Sequence, residues 1–164
     1  MRMIPTICAI LLSCQFLAAQ QETSGWQHVK VDDPLHGKSY EKFILHGKYL
    51  TPPRVPGEGF SPSVVIVCSN HKFDSTGSYL AVGAVVADNH TLVTRVDGKK
   101  KIIGVAGIST DGTALYLYAF EFKKLLQAHE VIIGVDEFLG PEVVMQFEMP
   151  DPSTVYAACT KSKE

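Results

Sequence analysis

The chain carries at residues 64–68 the run VVIVC, a continuous stretch of β-branched residues that ends in a cysteine. Such side chains fit a pleated strand, and an uninterrupted apolar run is typical of a strand that is buried on both faces. The flanking segments, residues 51–62 and 69–77, are rich in proline or in polar residues and predict loops. We therefore expect residues 64–68 to form the central strand of a β-rich fold.

Strand patterns recur on both sides of this run, either as apolar and polar residues in alternation or as short β-branched stretches. They occur at residues 26–31, 40–50, 78–87, 91–96, 101–108, 114–120, 131–135 and 142–147. Asp97-Gly98 separates two of these segments and predicts a tight hairpin turn, because both residues tolerate a positive φ. Asp111-Gly112 predicts a second turn of the same kind.

Two short helices complete the expected architecture. Phe122, Leu125, Leu126 and His129 follow the helical spacing i, i+3, i+4, i+7, and Glu121 lies where a helix favours an acid. Asp151-Pro152 predicts the start of a terminal helix. The fold class is therefore mainly β: an antiparallel β-sandwich or barrel-like domain with two short helices, one of them C-terminal.

The N-terminus has the pattern of an export signal. Arg2 is the only charged residue before Glu22, and an apolar run of secretory length ends in small residues. We expect residues 1–19 to be a signal peptide, residues 20–25 a flexible leader and residues 26–164 a single β-rich domain. Two alternatives are a retained membrane anchor and a lipoprotein anchored through Cys14.

Two of the four cysteines, Cys68 and Cys159, remain once the signal peptide is removed. A protein that is periplasmic or secreted folds in an oxidising compartment, where such a pair is more often bridged than free. Two separate buried thiols are the alternative. Neither cysteine has a second Cys or a His at ligand spacing, so no metal is expected.

Charge and hydropathy limit the partners. The whole chain has a formal net charge of −2, which predicts no general attraction to nucleic acid. No segment after the signal peptide is apolar enough to predict an integral membrane span.

No catalytic motif is present. His129-Glu130 resembles part of a zinc-protease motif, but Ile133 stands where the second histidine is required. Ser109 lies in a GISTD sequence that lacks the closing glycine of a nucleophile elbow. We expect no catalytic residue and no cofactor. The alternative is a secreted hydrolase that acts on cell-wall material with a site of dispersed His and Asp residues.

The candidate partner-binding surface is the hairpin at residues 91–101. It contains one arginine, one aspartate and three consecutive lysines: Arg95, Asp97, Lys99, Lys100 and Lys101. The three lysines are suited to contact with an acidic partner. A solvated turn that protects a sheet edge from aggregation is the alternative interpretation.

The chain resembles the TagO/VasI-like small exported proteins that are associated with bacterial type VI secretion. The resemblance rests on the order of Trp26, the PSVVIVC segment at 62–68, VTRVDGK at 93–99, STDGTALY at 109–116, FKKLL at 122–126, and Cys159. It implies a periplasmic, non-enzymatic accessory protein with a structural disulfide and an envelope or secretion-system protein as partner. It brings no catalytic residues.

Overall fold

The computed structural model describes residues 21–23, 25–33, 38–54, 60–87 and 91–160. The predicted signal peptide, with Cys14, lies outside the described residues. Among the residues that are described, no helix is long and apolar enough to cross a membrane.

The described chain is mainly β, as the sequence predicts, with two short helices of which one is C-terminal. The strands are β1 (Gln21–Thr23), β2 (Trp26–Asp33), β3 (Lys38–His46), β4 (Lys48–Thr51), β5 (Ser63–Ser69), β6 (Lys72–Phe73), β7 (Tyr79–Ala81), β8 (Thr91–Val96), β9 (Lys99–Ile108), β10 (Ala114–Leu117), β11 (Glu130–Asp136) and β12 (Glu142–Glu148). The helices are α1 (Ala119–Leu125) and α2 (Ser153–Cys159).

The strands pair antiparallel in the order β1-β2-β3-β5-β7-β10-β9-β8-β11-β12-β4, and β6 adds to β5. β3 and β4 follow each other in the chain and are separated only by Gly47. β3 pairs with β5, whereas β4 pairs with β12. The bend at Gly47 therefore joins two strands, β3 and β4, that lie far apart in the order of strand pairing.

Glycine at residue 47 allows this close bend because it has no Cβ atom. A Cβ atom at this position would lie 2.6 Å from the carbonyl oxygen of Gln146 and 2.6 Å from the ring of Phe147. Both groups belong to β12, which approaches the backbone of the bend directly.

β5 is the central strand that the VVIVC run predicts. Val64 and Ile66 face the main core, and Val65 and Val67 on the opposite face are also buried. The main core further contains the large side chains of Trp26, Phe43, Phe122 and Phe147.

The two Asp-Gly turns differ. Asp97 and Gly98 have φ values of 48° and 75°, so this turn has the predicted two-residue form. Gly112 has a φ of 73°, but Asp111 is not in the left-handed region. The prediction of a second turn of the same kind is wrong, because residues 109–113 form a longer connection that is held by the Asp111 side chain.

Helix α1 begins and ends earlier than the heptad-like spacing predicts. Phe122, Leu125 and Leu126 are buried as expected, but His129 is exposed and lies beyond the helix. The main-chain oxygen of His129 accepts a hydrogen bond from the N–H of Met149 at 2.8 Å. This residue therefore belongs to the approach to β11 and not to the last turn of a helix.

Three other segments differ from prediction. The leader, expected to be loose, contains β1, which pairs with β2. The loop expected at residues 69–77 contains β6, reached through a turn in which Asn70 and His71 both have positive φ. The strand expected at residues 78–87 is limited to β7, because the chain turns at Gly83, whose φ is 74°.

The predicted disulfide is present. Cys68 on β5 is bonded to Cys159 at the end of α2, across a sequence separation of 91 residues and a Cα–Cα distance of 5.0 Å. α2 packs on β5 and β6, with Val155 buried against the core. The bond fastens the C-terminal helix to the central strand.

Candidate partner-binding surface

The β8–β9 hairpin brings all five predicted surface residues together. Arg95 lies directly opposite Lys100, and Lys99 and Lys101 lie opposite Val96 and Thr94. All four cationic side chains are exposed. We call these four cations, together with Val93 and Ile102, the hairpin surface.

Asp97 has a different role from the four cations. Its Oδ1 atom accepts hydrogen bonds from the backbone N–H groups of His129 at 2.9 Å and Glu130 at 3.0 Å. These bonds, first the one from Glu130 and then the one from His129, hold the pKa of Asp97 below its usual value of 3.8. Asp97 therefore fastens the hairpin turn to the start of β11.

Three of the four hairpin cations have no carboxylate partner within the described parts of the chain, whereas Lys101 interacts electrostatically with Asp97. Arg95, Lys99 and Lys100 form no ion pair there, whereas Lys48 lies 3.9 Å from Glu148. Since the chain as a whole is slightly acidic, this is a local excess of positive charge. It attracts acidic groups at short range, and salt screens that attraction.

Apolar side chains continue the hairpin surface away from the turn. Val93 and Ile102 form a cross-strand pair on the outer face, with exposed fractions of 48% and 68%. Beyond them Tyr118 covers Gly104, where an added Cβ would lie 3.2 Å from the tyrosine ring. Tyr118 also stacks on Phe120, with ring centroids 5.6 Å apart, and both rings are about half exposed.

The sequence did not reveal this stacked aromatic pair. Residues 114–120 read as one continuous strand, in which Tyr118 and Phe120 are ordinary alternating residues. In the structure Tyr118 is the extended residue just before α1, and Phe120 lies in the first turn of the helix. The break between strand and helix, which has no glycine or proline to mark it, places both rings at the surface.

The free edge of β9 gives a structural basis to the alternative interpretation of the lysines. Residues 99–104 pair with β8 on one side, and β10 joins β9 only from Val105 onward. In the described structure, no strand covers the other side of residues 99–104. Lysines on an open edge oppose unspecific strand pairing.

Among the described residues, the dispersed His and Asp side chains of the hydrolase alternative are not gathered at one site. A cavity of about 400 Å³ beside the disulfide is lined by Lys30, Glu41 and His71, among others. The Glu41 carboxylate is already paired with His28 at 2.9 Å. In the described part of the chain no hydrogen bond joins His71 to Ser39, the serine that lines the same cavity.

Elsewhere in the described structure, His46 contacts two serines. His46 Nδ1 lies 3.1 Å from Ser63 Oγ and 3.2 Å from Ser61 Oγ. Its Nε2 atom faces the amide oxygen of Gln27 at 3.4 Å, where a hydrolytic triad has a carboxylate. Ser63 Oγ also donates to the main-chain oxygen of Ser61 at 3.2 Å. These contacts form a local network between the adjoining strands β2, β3 and β5.

The other described histidines and the two disulfide cysteines form no ligand set. Within the described residues, no three His, Cys, Asp or Glu side chains are grouped so that they could hold a metal ion. Cys68 and Cys159 are bonded to each other, so neither has a free thiol that could bind a metal.

Comparison of the chain with protein-family models, with curated proteins and with solved structures found no match.

Proposed function

We propose that this chain is an exported, periplasmic accessory protein of the bacterial envelope. In this proposal it is not an enzyme and binds another envelope or secretion-system protein through the hairpin surface. The role in type VI secretion is the one that the resemblance to the TagO/VasI-like proteins implies. The N-terminal signal pattern and the disulfide support an oxidising compartment outside the cytoplasm.

The observation that carries the proposal is the cluster of unpaired cations on the hairpin. Arg95 and Lys100 face outward side by side, with no described carboxylate against them, next to the exposed pair of Val93 and Ile102. Mixed apolar and cationic surfaces of this kind are suited to protein recognition, where apolar contacts give affinity and charge gives specificity.

A capture experiment with charge-reversed variants tests the proposal. The bait is the mature protein, incubated with envelope extract, and the test variant is Arg95→Glu/Lys100→Glu. The matched control, Lys30→Glu/Lys123→Glu, makes the same change of charge at two exposed lysines outside the hairpin. Circular dichroism and thermal unfolding establish that both variants are folded.

We expect the wild-type protein and the control variant to retain the same envelope protein and the hairpin variant to lose it. Retention of that protein by the folded hairpin variant contradicts the proposal. Failure of the wild-type protein to retain any protein beyond the level of the hairpin variant also contradicts it.

A further inference from the structure

The free edge of β9 presents backbone groups at defined positions. In a two-residue hairpin the residues next to the turn, Val96 and Lys99, form a hydrogen-bonded pair, and the two kinds of pair then alternate along the strands. Lys101 and Ile103 therefore direct their N–H and C=O groups toward β8. Lys100 and Ile102 direct theirs toward the open side.

Gly104 supports this assignment independently. It follows Ile102 by two residues, so its backbone groups point to the same side of the strand as those of Lys100 and Ile102. Its N–H group points away from β8 to the Glu121 carboxylate at 3.5 Å. Glu121 is buried and is held by Lys124 Nζ at 3.2 Å. Helix α1 thus closes the edge at Gly104, whereas no described residue closes it at Lys100 and Ile102.

The charges on this edge select what can pair with it. Lys100 projects on the outer face, and Lys99 and Lys101 project on the opposite face, so lysines flank the open positions on both sides. A second copy of the chain pairing edge to edge would place lysines against lysines, which is unfavourable. An acidic strand would meet a cation on either face.

The apolar end of the edge adds a second requirement. Ile102 is the most exposed member of the hairpin surface's apolar pair, and the stacked rings of Tyr118 and Phe120 lie just beyond Gly104. A strand that pairs with Lys100 and Ile102 would bring its next residues against these apolar groups. An apolar residue at that end of the added strand fits the surface.

We propose that the open edge of β9 at Lys100 and Ile102 binds an extended acidic segment of a partner protein by adding it as a strand. The acidic side chains contact the lysines, and an apolar residue packs near Ile102 and Tyr118. This mode of binding combines backbone hydrogen bonds with side-chain selection. It rests on the proposed function, since it specifies how the hairpin surface holds its partner.

The test uses a labelled peptide of alternating glutamate and valine with the mature, disulfide-bonded protein. Two comparison peptides are the version with lysine in place of glutamate and the version with consecutive central amides N-methylated. Binding is followed by fluorescence anisotropy, and hydrogen exchange of individual backbone amides is measured by NMR.

We expect the acidic peptide to bind, the lysine peptide not to bind, and N-methylation to weaken binding at least tenfold. We also expect the peptide to slow hydrogen exchange at the amides of Lys100 and Ile102. The amides of Lys101 and Ile103, which already bond to β8, change little. This alternation distinguishes an added strand from simple charge attraction.

Equal binding of the N-methylated peptide, or protection without alternation, overturns strand addition. Absence of binding by the acidic peptide overturns it as well. Each of these three results leaves the proposed function intact if the envelope protein is still lost from the Arg95→Glu/Lys100→Glu variant. Retention of the envelope protein by that variant instead contradicts the proposed function itself.

Discussion

Two hairpins of this fold expose large apolar side chains, and they differ in what surrounds those side chains. The β8–β9 hairpin exposes Ile102 to 68%, and the β11–β12 hairpin exposes Phe138 to 60% and Leu139 to 81%. By exposure alone, the β11–β12 hairpin is the stronger candidate for a binding surface. Exposure alone is a weak criterion, because single apolar residues are common on protein surfaces.

The polar groups around the β11–β12 turn are already used within the chain. The N–H of Phe138 donates to the carbonyl oxygen of Val85 at 2.8 Å, and the N–H of Ala87 donates to that of Asp136 at 2.8 Å. The carboxylate of Glu137 accepts from the backbone N–H of Arg54 at 3.1 Å. This turn is fastened to the segments beside it.

The β8–β9 hairpin is fastened on one side only. Asp97 ties its turn to the start of β11, while the opposite edge of β9 has open backbone groups and unpaired cations. Unused hydrogen-bonding and charged groups therefore distinguish this hairpin from the other. These unused groups are why we propose the β8–β9 hairpin, and not the β11–β12 hairpin, as the binding surface.

The largest loss of stability is expected from removal of the disulfide, because the bond closes a long loop and fastens α2 to β5. The Cys68→Ala/Cys159→Ala variant should lose about 4–5 kcal/mol of unfolding free energy on the chain-entropy model, given the separation of 91 residues. Urea unfolding measures the loss. A change below about 1 kcal/mol would show that α2 holds to β5 without the bond.

A smaller loss of unfolding free energy is expected from a substitution at the bend between β3 and β4. Gly47→Ala places a methyl group against Gln146 and Phe147 of β12 and should lower the unfolding free energy by about 1–3 kcal/mol. The matched control is Gly107→Ala, where an added Cβ meets no atom within 4 Å. Equal stability of the two variants would contradict the close packing at the bend.

The link between the two hairpins should depend on pH. The pKa of Asp97 is depressed in the folded protein, so its contribution to stability is present above the ordinary pKa of 3.8 and is lost as the pH falls through the folded pKa. Asp97→Asn keeps an oxygen that can accept from the N–H groups of His129 and Glu130 but does not titrate. Urea unfolding between pH 4 and pH 2 should therefore show a shallower fall for this variant. A slope identical to that of the wild type would refute the link.

The smallest effects on stability are expected at the exposed apolar residues themselves. Ile102→Ser and Phe138→Ser should each change the unfolding free energy by less than about 1 kcal/mol, because neither side chain is buried. Their effects on capture of the envelope protein should differ: Ile102→Ser weakens it several-fold and Phe138→Ser leaves it unchanged. The opposite pattern would indicate that the β11–β12 hairpin binds the partner and that the β8–β9 hairpin does not.

The elements that local sequence determines were predictable. The β-branched run of β5 identified the central strand, and Asp97-Gly98 identified the turn that brings the candidate cations together. The cysteine pair was predicted from the export pattern, since removal of the expected signal peptide would leave only Cys68 and Cys159.

The features that depend on tertiary contacts were not predictable. Asp111 has the same neighbour as Asp97, yet its carboxylate bonds within its own loop to Ser109 and Thr113, whereas that of Asp97 reaches β11. The open edge of β9 depends on where β10 begins to pair. The closure of that edge at Gly104 depends on Glu121, a buried acid on a helix that starts earlier than its periodicity indicates.

Site-specific photo-cross-linking in the periplasm tests the central claim most directly. A photoreactive phenylalanine analogue is placed at residue 102 in one protein and at residue 138 in another, one exposed apolar position on each hairpin. We predict a covalent adduct with one envelope protein from position 102 and none from position 138. An adduct from position 138 alone, or from neither position, would contradict the assignment of binding to the β8–β9 hairpin.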